Sequence, residues 1–157
     1  MIKVLFVCMG NICRSPAAEA IFQKMIDDAG LSQHFMLDSA AIGAWHVGER
    51  AHPLTLATLK KHGIEYDGRS RQITRGDFET FDYIYIADRE VMSSVYRMGK
   101  AGETKVSLLL SAAYGDNLLK TDEIPDPNYT GQFDAVHEMI TIGCAEILKR
   151  IREESGI

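Results

Sequence analysis

Apolar and polar positions along the chain change period several times, and each change marks an element. Residues 2–7 form an almost continuous apolar run containing Val and Ile, with Gly10 shortly after it. Such a run reads as a buried parallel strand. Residues 16–29 then switch to helical period, with Ala18, Ile21, Phe22, Met25, Ile26 and Ala29 at i, i+3, i+4 spacing. Ser15 is the expected N-cap, Pro16 the first helical residue and Gly30 the stop. A second strand is expected over residues 35–41. A second helix is expected over 53–62, with Gly63 past its end. Residues 83–87 read as a third strand, 89–98 as a helix and 105–109 as a fourth strand. The last helix shows the strongest stripe: Phe133, Val136, Ile140, Gly143, Cys144, Ile147, Leu148 and Ile151 share one face.

Strands alternating with helices predict βαβ units and a parallel sheet covered on both faces. The fold class is therefore α/β, a three-layer arrangement. One domain over residues 1–157 fits the length. No repeat, low-complexity tract or interdomain linker interrupts it. Residues 111–131 are the longest expected loop, and loops of that length are often functional.

Composition narrows the function classes. The chain has 17 basic and 22 acidic residues, a formal net charge of -5. Nucleic-acid binders carry a basic footprint, so no nucleic-acid partner is expected. An anionic substrate would need a local positive site, because the mean field of the protein repels it. Cys8, Cys13 and Cys144 are too few and odd in number for a disulfide framework. A reducing compartment, the cytoplasm, is the expected location. Residues 1–7 lack the charged and apolar regions of a signal peptide. No apolar run is long enough to span a bilayer, so no membrane partner is expected. No exposed apolar stripe announces a subunit partner, and a monomer is expected.

The segment Cys8-Met9-Gly10-Asn11-Ile12-Cys13-Arg14-Ser15 carries the chemistry. It joins the first strand to the first helix, where open α/β sheets bind ligands. The backbone N–H groups of residues 9–15 can converge into an anion nest, and the helix N-terminus adds donors and the positive end of its dipole. Gly10 lets the backbone turn where a side chain would obstruct. Arg14 offers a planar fork for two phosphate oxygens. The same field favours the thiolate of Cys8, which suits in-line attack on phosphorus and a covalent phosphocysteine. The five residues between Cys8 and Arg14 let both reach one anion.

Such a reaction needs a general acid for the leaving oxygen. Asp126 is the leading candidate, between Pro125 and Pro127 on a rigid non-helical loop. It could equally be a turn residue, and Asp88, Asp116 and Asp122 are rivals, Asp88 because it follows a strand end. Tyr129 could wall the cleft. Trp45, flanked by glycines, is either a core plug or a second wall. Cys13 either packs beneath the loop or resolves an oxidised Cys8. Cys144 reads as core. His34, His46, His52, His62 and His137 form no metal spacing with the cysteines and are expected to be exposed or capping. Arg69, Arg71 and Arg75 read as a solvated face.

The run from Val4 to Ala20 resembles the signature of the low-molecular-weight protein tyrosine phosphatases. Asp38-Ser39, Trp45, Val47-Gly48, His62-Gly63-Ile64, Arg71-Gln72-Ile73, Asp77-Phe78, Phe81-Asp82-Tyr83-Ile84 and Pro125-Asp126-Pro127 follow in that family's order. The resemblance implies a four-stranded parallel sheet flanked by helices, no metal and no cofactor. It implies Cys8 as nucleophile, Arg14 as phosphate binder and Asp126 as acid and then base. It also implies that Asn11, Ser15 and Ser39 hold the loop, that Ser15 contacts the thiolate, that Cys13 is a redox partner, and that Trp45 and Tyr129 wall the cleft. Phosphotyrosine-containing proteins are the implied substrates. Three departures bear on specificity: Asn128 precedes Tyr129 where many relatives have two aromatics, Gly68 stands where many have His, and Met9 replaces a common Leu. Two rivals share the fold. A thiol-dependent arsenate reductase would need further mobile cysteines, and a phosphocysteine carrier would not need Arg14 together with Asp126.

Overall fold

A computed structural model describes residues 1–99 and 102–157. Its elements run β1 (Ile2–Cys8), α1 (Arg14–Asp28), a 3-10 turn (Ser32–His34), β2 (Phe35–Ala41), α2 (Pro53–Lys61), α3 (Asp77–Thr80), β3 (Tyr83–Ile86), α4 (Arg89–Arg97), β4 (Lys105–Leu108), α5 (Ser111–Gly115), α6 (Pro127–Thr130) and α7 (Phe133–Ser155). The four strands form one sheet in the order β2-β1-β3-β4, every neighbouring pair parallel. The expected α/β class and four-stranded parallel sheet are what the chain adopts.

β1 lies inside the sheet, so alternate side chains feed two cores. Val4, Phe6 and Cys8 join Phe22 and Ile26 of α1 with Val136, Ile140, Cys144 and Ile147 of α7. Leu5 and Val7 face the other way, toward Phe78, Phe81, Val91 and Val95. Each fully buried Phe or Ile contributes about 1.5–3 kcal/mol relative to exposure. Cys144 is buried among the first group, as its place on the α7 stripe predicts.

Two helix ends follow the glycines. Gly30 (φ +69°) donates to the Asp27 carbonyl at 3.1 Å and Leu31 to that of Ile26 at 2.8 Å, a Schellman closure of α1. Gly63 (φ +74°) ends α2 in the same left-handed conformation.

Several expectations need correction. Ser15 does not cap α1, which begins at Arg14 with Cys13 at the N-cap position and no side-chain cap. The Ser15 hydroxyl is engaged by Cys8 and Asn11 instead. Residues 111–131 are not one loop but contain α5 and α6, each too short to show a helical period. His137 is buried against α2, its ring stacked on that of His62 with centroids 3.9 Å apart. Arg71 is not a solvated side chain: Nε donates to Asp38 at 2.9 Å, and Nη1 and Nη2 to Asp77 at 3.0 Å each.

Candidate active site

β1 delivers Cys8 at its carboxyl end, and α1 starts six residues later, so residues 8–14 must curl tightly. The left-handed turn falls on Asn11 (φ +57°), one of the residue types that tolerates it, and not on Gly10. Gly10 keeps the space open: a Cβ there would come within 3.1 Å of Cδ2 of the half-buried His46 side chain, a tight contact. The Asn11 side chain holds the turn from behind. Its Nδ2 donates to Ser15 Oγ at 2.7 Å and Ser39 Oγ at 3.0 Å, and its Oδ1 accepts from Arg71 N–H at 3.1 Å. Ser70 Oγ donates to the Gly10 carbonyl at 3.1 Å.

The loop forms the floor of a cavity of about 210 Å³ lined by Cys8, Met9, Gly10, Ile12, Cys13, Arg14, Trp45, His46, Asp126, Asn128 and Tyr129. Trp45 and Tyr129 stand at its mouth, 68% and 86% exposed. Trp45 is therefore no core plug. Its ring lies over Gly43, where a Cβ would sit 1.9 Å from Cζ3. Asn11, Ser15 and Ser39 are buried and outside the lining; they stand behind the loop. Ser15 Oγ lies 3.0 Å from Cys8 Sγ, and the Ser15 N–H points to the same sulfur at 3.4 Å.

Arg14 is 3% exposed, and its head is fixed from behind. Nη1 donates to Asp88 Oδ2 at 2.6 Å and to the Ile124 carbonyl at 2.8 Å, while Nη2 lies 3.7 Å from Asp126 Oδ2. Burial opposes the charge, but attraction to Cys8, Asp88 and Asp126 outweighs it and holds the guanidinium pKa above its ordinary value. Asp126 Oδ1 accepts from the Asn128 N–H at 3.0 Å, capping α6 and leaving Oδ2 toward the cavity. Of its rivals, Asp88 reaches the site, but as the anchor of Arg14. Asp122 pairs with exposed Arg89 and Asp116 with Arg150.

Burial, with Asp126 and Cys8 nearby, pushes the Cys13 thiol up to about 12. Cys8 and Cys13 are both free thiols. Sequence reading passed over the Ile124 carbonyl, His46 as lining, and the support from Ser70. Only the place of His46 beside Trp45 signalled any of them. Among the described residues no group of three or more His, Cys, Asp or Glu side chains could hold a metal ion.

The arrangement pairs a thiol, a fixed guanidinium and a carboxylate around one small polar cavity, which can bind a tetrahedral oxyanion and exchange a proton with it. The family model described as low molecular weight phosphotyrosine protein phosphatase matches residues 3–156. The chain is 42% identical to low molecular weight protein-tyrosine-phosphatase YfkJ of Bacillus subtilis over the whole of both chains. The crystal structure of YfkJ superposes with a TM-score of 0.92, covering 98% of this chain and 96% of that one at 40% identity. A low molecular weight phosphotyrosine protein phosphatase of Sus scrofa is 39% identical over 96% of each chain. The structure of a Drosophila arginine phosphatase superposes with a TM-score of 0.88 at 32% identity, over 96% of this chain and 98% of that one.

Proposed function

This chain belongs to the low molecular weight phosphotyrosine protein phosphatase family, and we propose that it hydrolyses phosphotyrosine in proteins through a phosphocysteine at Cys8. The observation that carries the reading is the meeting of Arg14 with Asp88, the Ile124 carbonyl and Asp126 over a cavity floored by Cys8.

The phosphate monoester enters with its oxygens toward the loop N–H groups of residues 9–15 and toward Arg14. Cys8 Sγ attacks phosphorus in line, forming the S–P bond as the bond to the phenolic oxygen breaks. Asp126 Oδ2 gives that oxygen its proton. Water then attacks the phosphocysteine, Asp126 takes a proton from it, and the S–P bond breaks to release inorganic phosphate and the thiolate. The Ser15 hydroxyl and N–H, both facing Sγ, favour the sulfur as attacking thiolate and as leaving group. No step calls on a metal or cofactor.

Trp45 and Tyr129 at the cavity mouth favour a flat aromatic ester over an alkyl one. A monomer suffices, because every group invoked comes from one chain. The need for a free Cys8 thiol fits a reducing compartment, and the cytoplasm is the compartment adopted in this reading. No helix among the described residues is long and apolar enough to cross a membrane. A redox reductase of arsenate would need a mobile third thiol, and Cys144 is buried with Sγ 3.9 Å from the Ala18 carbonyl.

The test is steady-state hydrolysis of p-nitrophenyl phosphate with reductant and without added metal. Wild type is expected to turn over, Cys8→Ser to be inactive, and Asp126→Asn to lose about 10²–10⁴-fold in kcat. Binding of phosphate without turnover would sink the enzyme reading. Equal rates on alkyl phosphates, or a preference for phosphoarginine, would remove the phosphotyrosine assignment.

A further inference from the structure

Behind the loop, the hydrogen bonds that begin at Cys8 run on to two residues outside the mechanism, Glu19 of α1 and Tyr66. Ser39 Oγ donates to Glu19 Oε1 at 2.6 Å, and the Tyr66 hydroxyl donates to the same oxygen at 3.0 Å. From Asn11 to Glu19 the direction of each bond is fixed, and the Cys8–Ser15 bond takes its direction from the state of the sulfur. Asn11 Oδ1 accepts from the Arg71 N–H, so the other end of the amide is nitrogen, which can only donate. Ser15 and Ser39 both accept from that nitrogen and must turn their own protons outward. The Ser39 proton then points to Glu19, and with Cys8 as the thiolate the Ser15 proton points to Sγ. The pattern closes as long as Glu19 Oε1 accepts from both hydroxyls.

Burial, with Asp38 nearby, holds the Glu19 pKa above its ordinary value, and Ser39 and Tyr66 as donors, with Arg71 behind them, offset this only in part. Burial and the adjacent carboxylate also raise the Tyr66 pKa, so its hydroxyl stays a donor. The groove on the outer side of Glu19 carries Lys24, Glu65 and Asp67. Tyr66 can reach this place because residue 68 has no side chain: a Cβ on Gly68 would lie 2.2 Å from the Tyr66 hydroxyl oxygen and 2.4 Å from Cζ.

We propose that Tyr66, seated against Gly68, is a positioning residue for the reaction at Cys8: its hydroxyl holds Glu19 as the acceptor that keeps the Ser39 proton off the Asn11 amide and the Ser15 proton on Cys8 Sγ. This rests on the reading of Cys8 as the nucleophile. It assigns Gly68 a purpose, since any side chain there displaces the Tyr66 ring.

Tyr66→Phe, Gly68→Ala and the double variant separate positioning from packing. Two experiments read them: kinetics of p-nitrophenyl phosphate hydrolysis for kcat and KM, and the pH profile of Cys8 alkylation by iodoacetamide, followed by mass spectrometry. Tyr66→Phe is expected to lower kcat about tenfold with KM changed less than about twofold. Its alkylation midpoint should move up by about one pH unit. Gly68→Ala should do the same, and the double variant should be no worse than either. A wild-type kcat in Tyr66→Phe overturns the proposal. So does a lost kcat with an unmoved alkylation profile, which would make Tyr66 mere scaffold. If Tyr66→Phe melts below the assay temperature, Glu19→Gln takes its place: the same alkylation shift is expected, and a wild-type profile there overturns the proposal. Failure of wild type to hydrolyse the ester would instead refute the function, while the alkylation profile would still report the Ser15 proton.

Discussion

Nη1 of Arg14 lies 2.6 Å from Oδ2 of Asp88, and Oδ1 of the same carboxylate accepts from the Val91 N–H at 2.9 Å, capping α4. One side chain therefore both aims the Arg14 guanidinium and starts a helix. Asp88→Ser keeps a capping oxygen but is too short to hold Arg14. It is expected to raise KM for p-nitrophenyl phosphate about 5–20-fold with little loss of stability. Asp88→Ala should show the same KM and lose about 1 kcal/mol besides. Michaelis kinetics and urea unfolding on the two variants check this. An unchanged KM in both would mean that the Ile124 carbonyl alone orients Arg14.

Cys13 stands beside Cys8 as a buried thiol whose pKa of about 12 keeps it from competing for an oxidant. Peroxide should meet Cys8 first, giving a sulfenic acid and water. Cys13 then attacks that sulfur, forming the disulfide and releasing a second water. After brief peroxide and then dithiothreitol, wild type should regain most of its own starting activity. Cys13→Ser should regain far less, since its sulfenic acid proceeds to the sulfinic acid. Equal recovery in the two would remove the resolving role.

His137 is buried on α7 against His62, and burial, with the His62 and Lys61 charges, lowers its pKa from 6.5 to about 4, Asp134 opposing. The folded state thus binds this proton less readily than the unfolded chain does. Stability from this site is complete above about pH 6.5 and declines as pH falls toward 4. The thermal midpoint of wild type should drop between pH 7.5 and 5 by more than that of His137→Gln. Parallel curves for the two proteins would refute the assignment.

Gly143 of α7 faces Leu110 and Leu109, and a Cβ there would meet their Cδ2 atoms at 2.6 and 3.1 Å. Both leucines are buried and follow β4, so neither can swing clear. Gly143→Ala should destabilise by about 1–3 kcal/mol through overpacking, despite the better helix propensity of Ala. Urea midpoints decide this, and a more stable Gly143→Ala would show that the leucines yield.

What the sequence disclosed follows from the range of the forces involved. β1, α1 and α7 were legible because a strand or helix facing a core prints its period into neighbouring residues. The loop was legible because Cys8, Gly10 and Arg14 sit within one turn of chain. α3, α5 and α6 escaped because four or five residues hold about one turn, too little for a period to show. Ser15 was misplaced because a hydroxyl at a helix start caps in most settings, and here Cys8 and Asn11 compete for it. Tyr66 and Glu19 are 47 residues apart and carry no local pattern. Their meeting depends on a missing side chain at position 68, which no periodicity encodes. Trp45 had two readings in the sequence, and only its exposure separates them.

The site draws its parts from distant stretches: Arg14 and the Ile124 carbonyl that holds it are 110 positions apart. At roughly 5–20 residues per second, a ribosome takes roughly 5–20 s to cover that span. For that interval the nascent chain carries Cys8 without the carbonyl that holds Arg14 and without Asp126. On the function proposed above, activity waits until the segment around Asp126 has left the exit tunnel. Until then Cys8 stands outside the cavity that Asp126, Asn128 and Tyr129 complete.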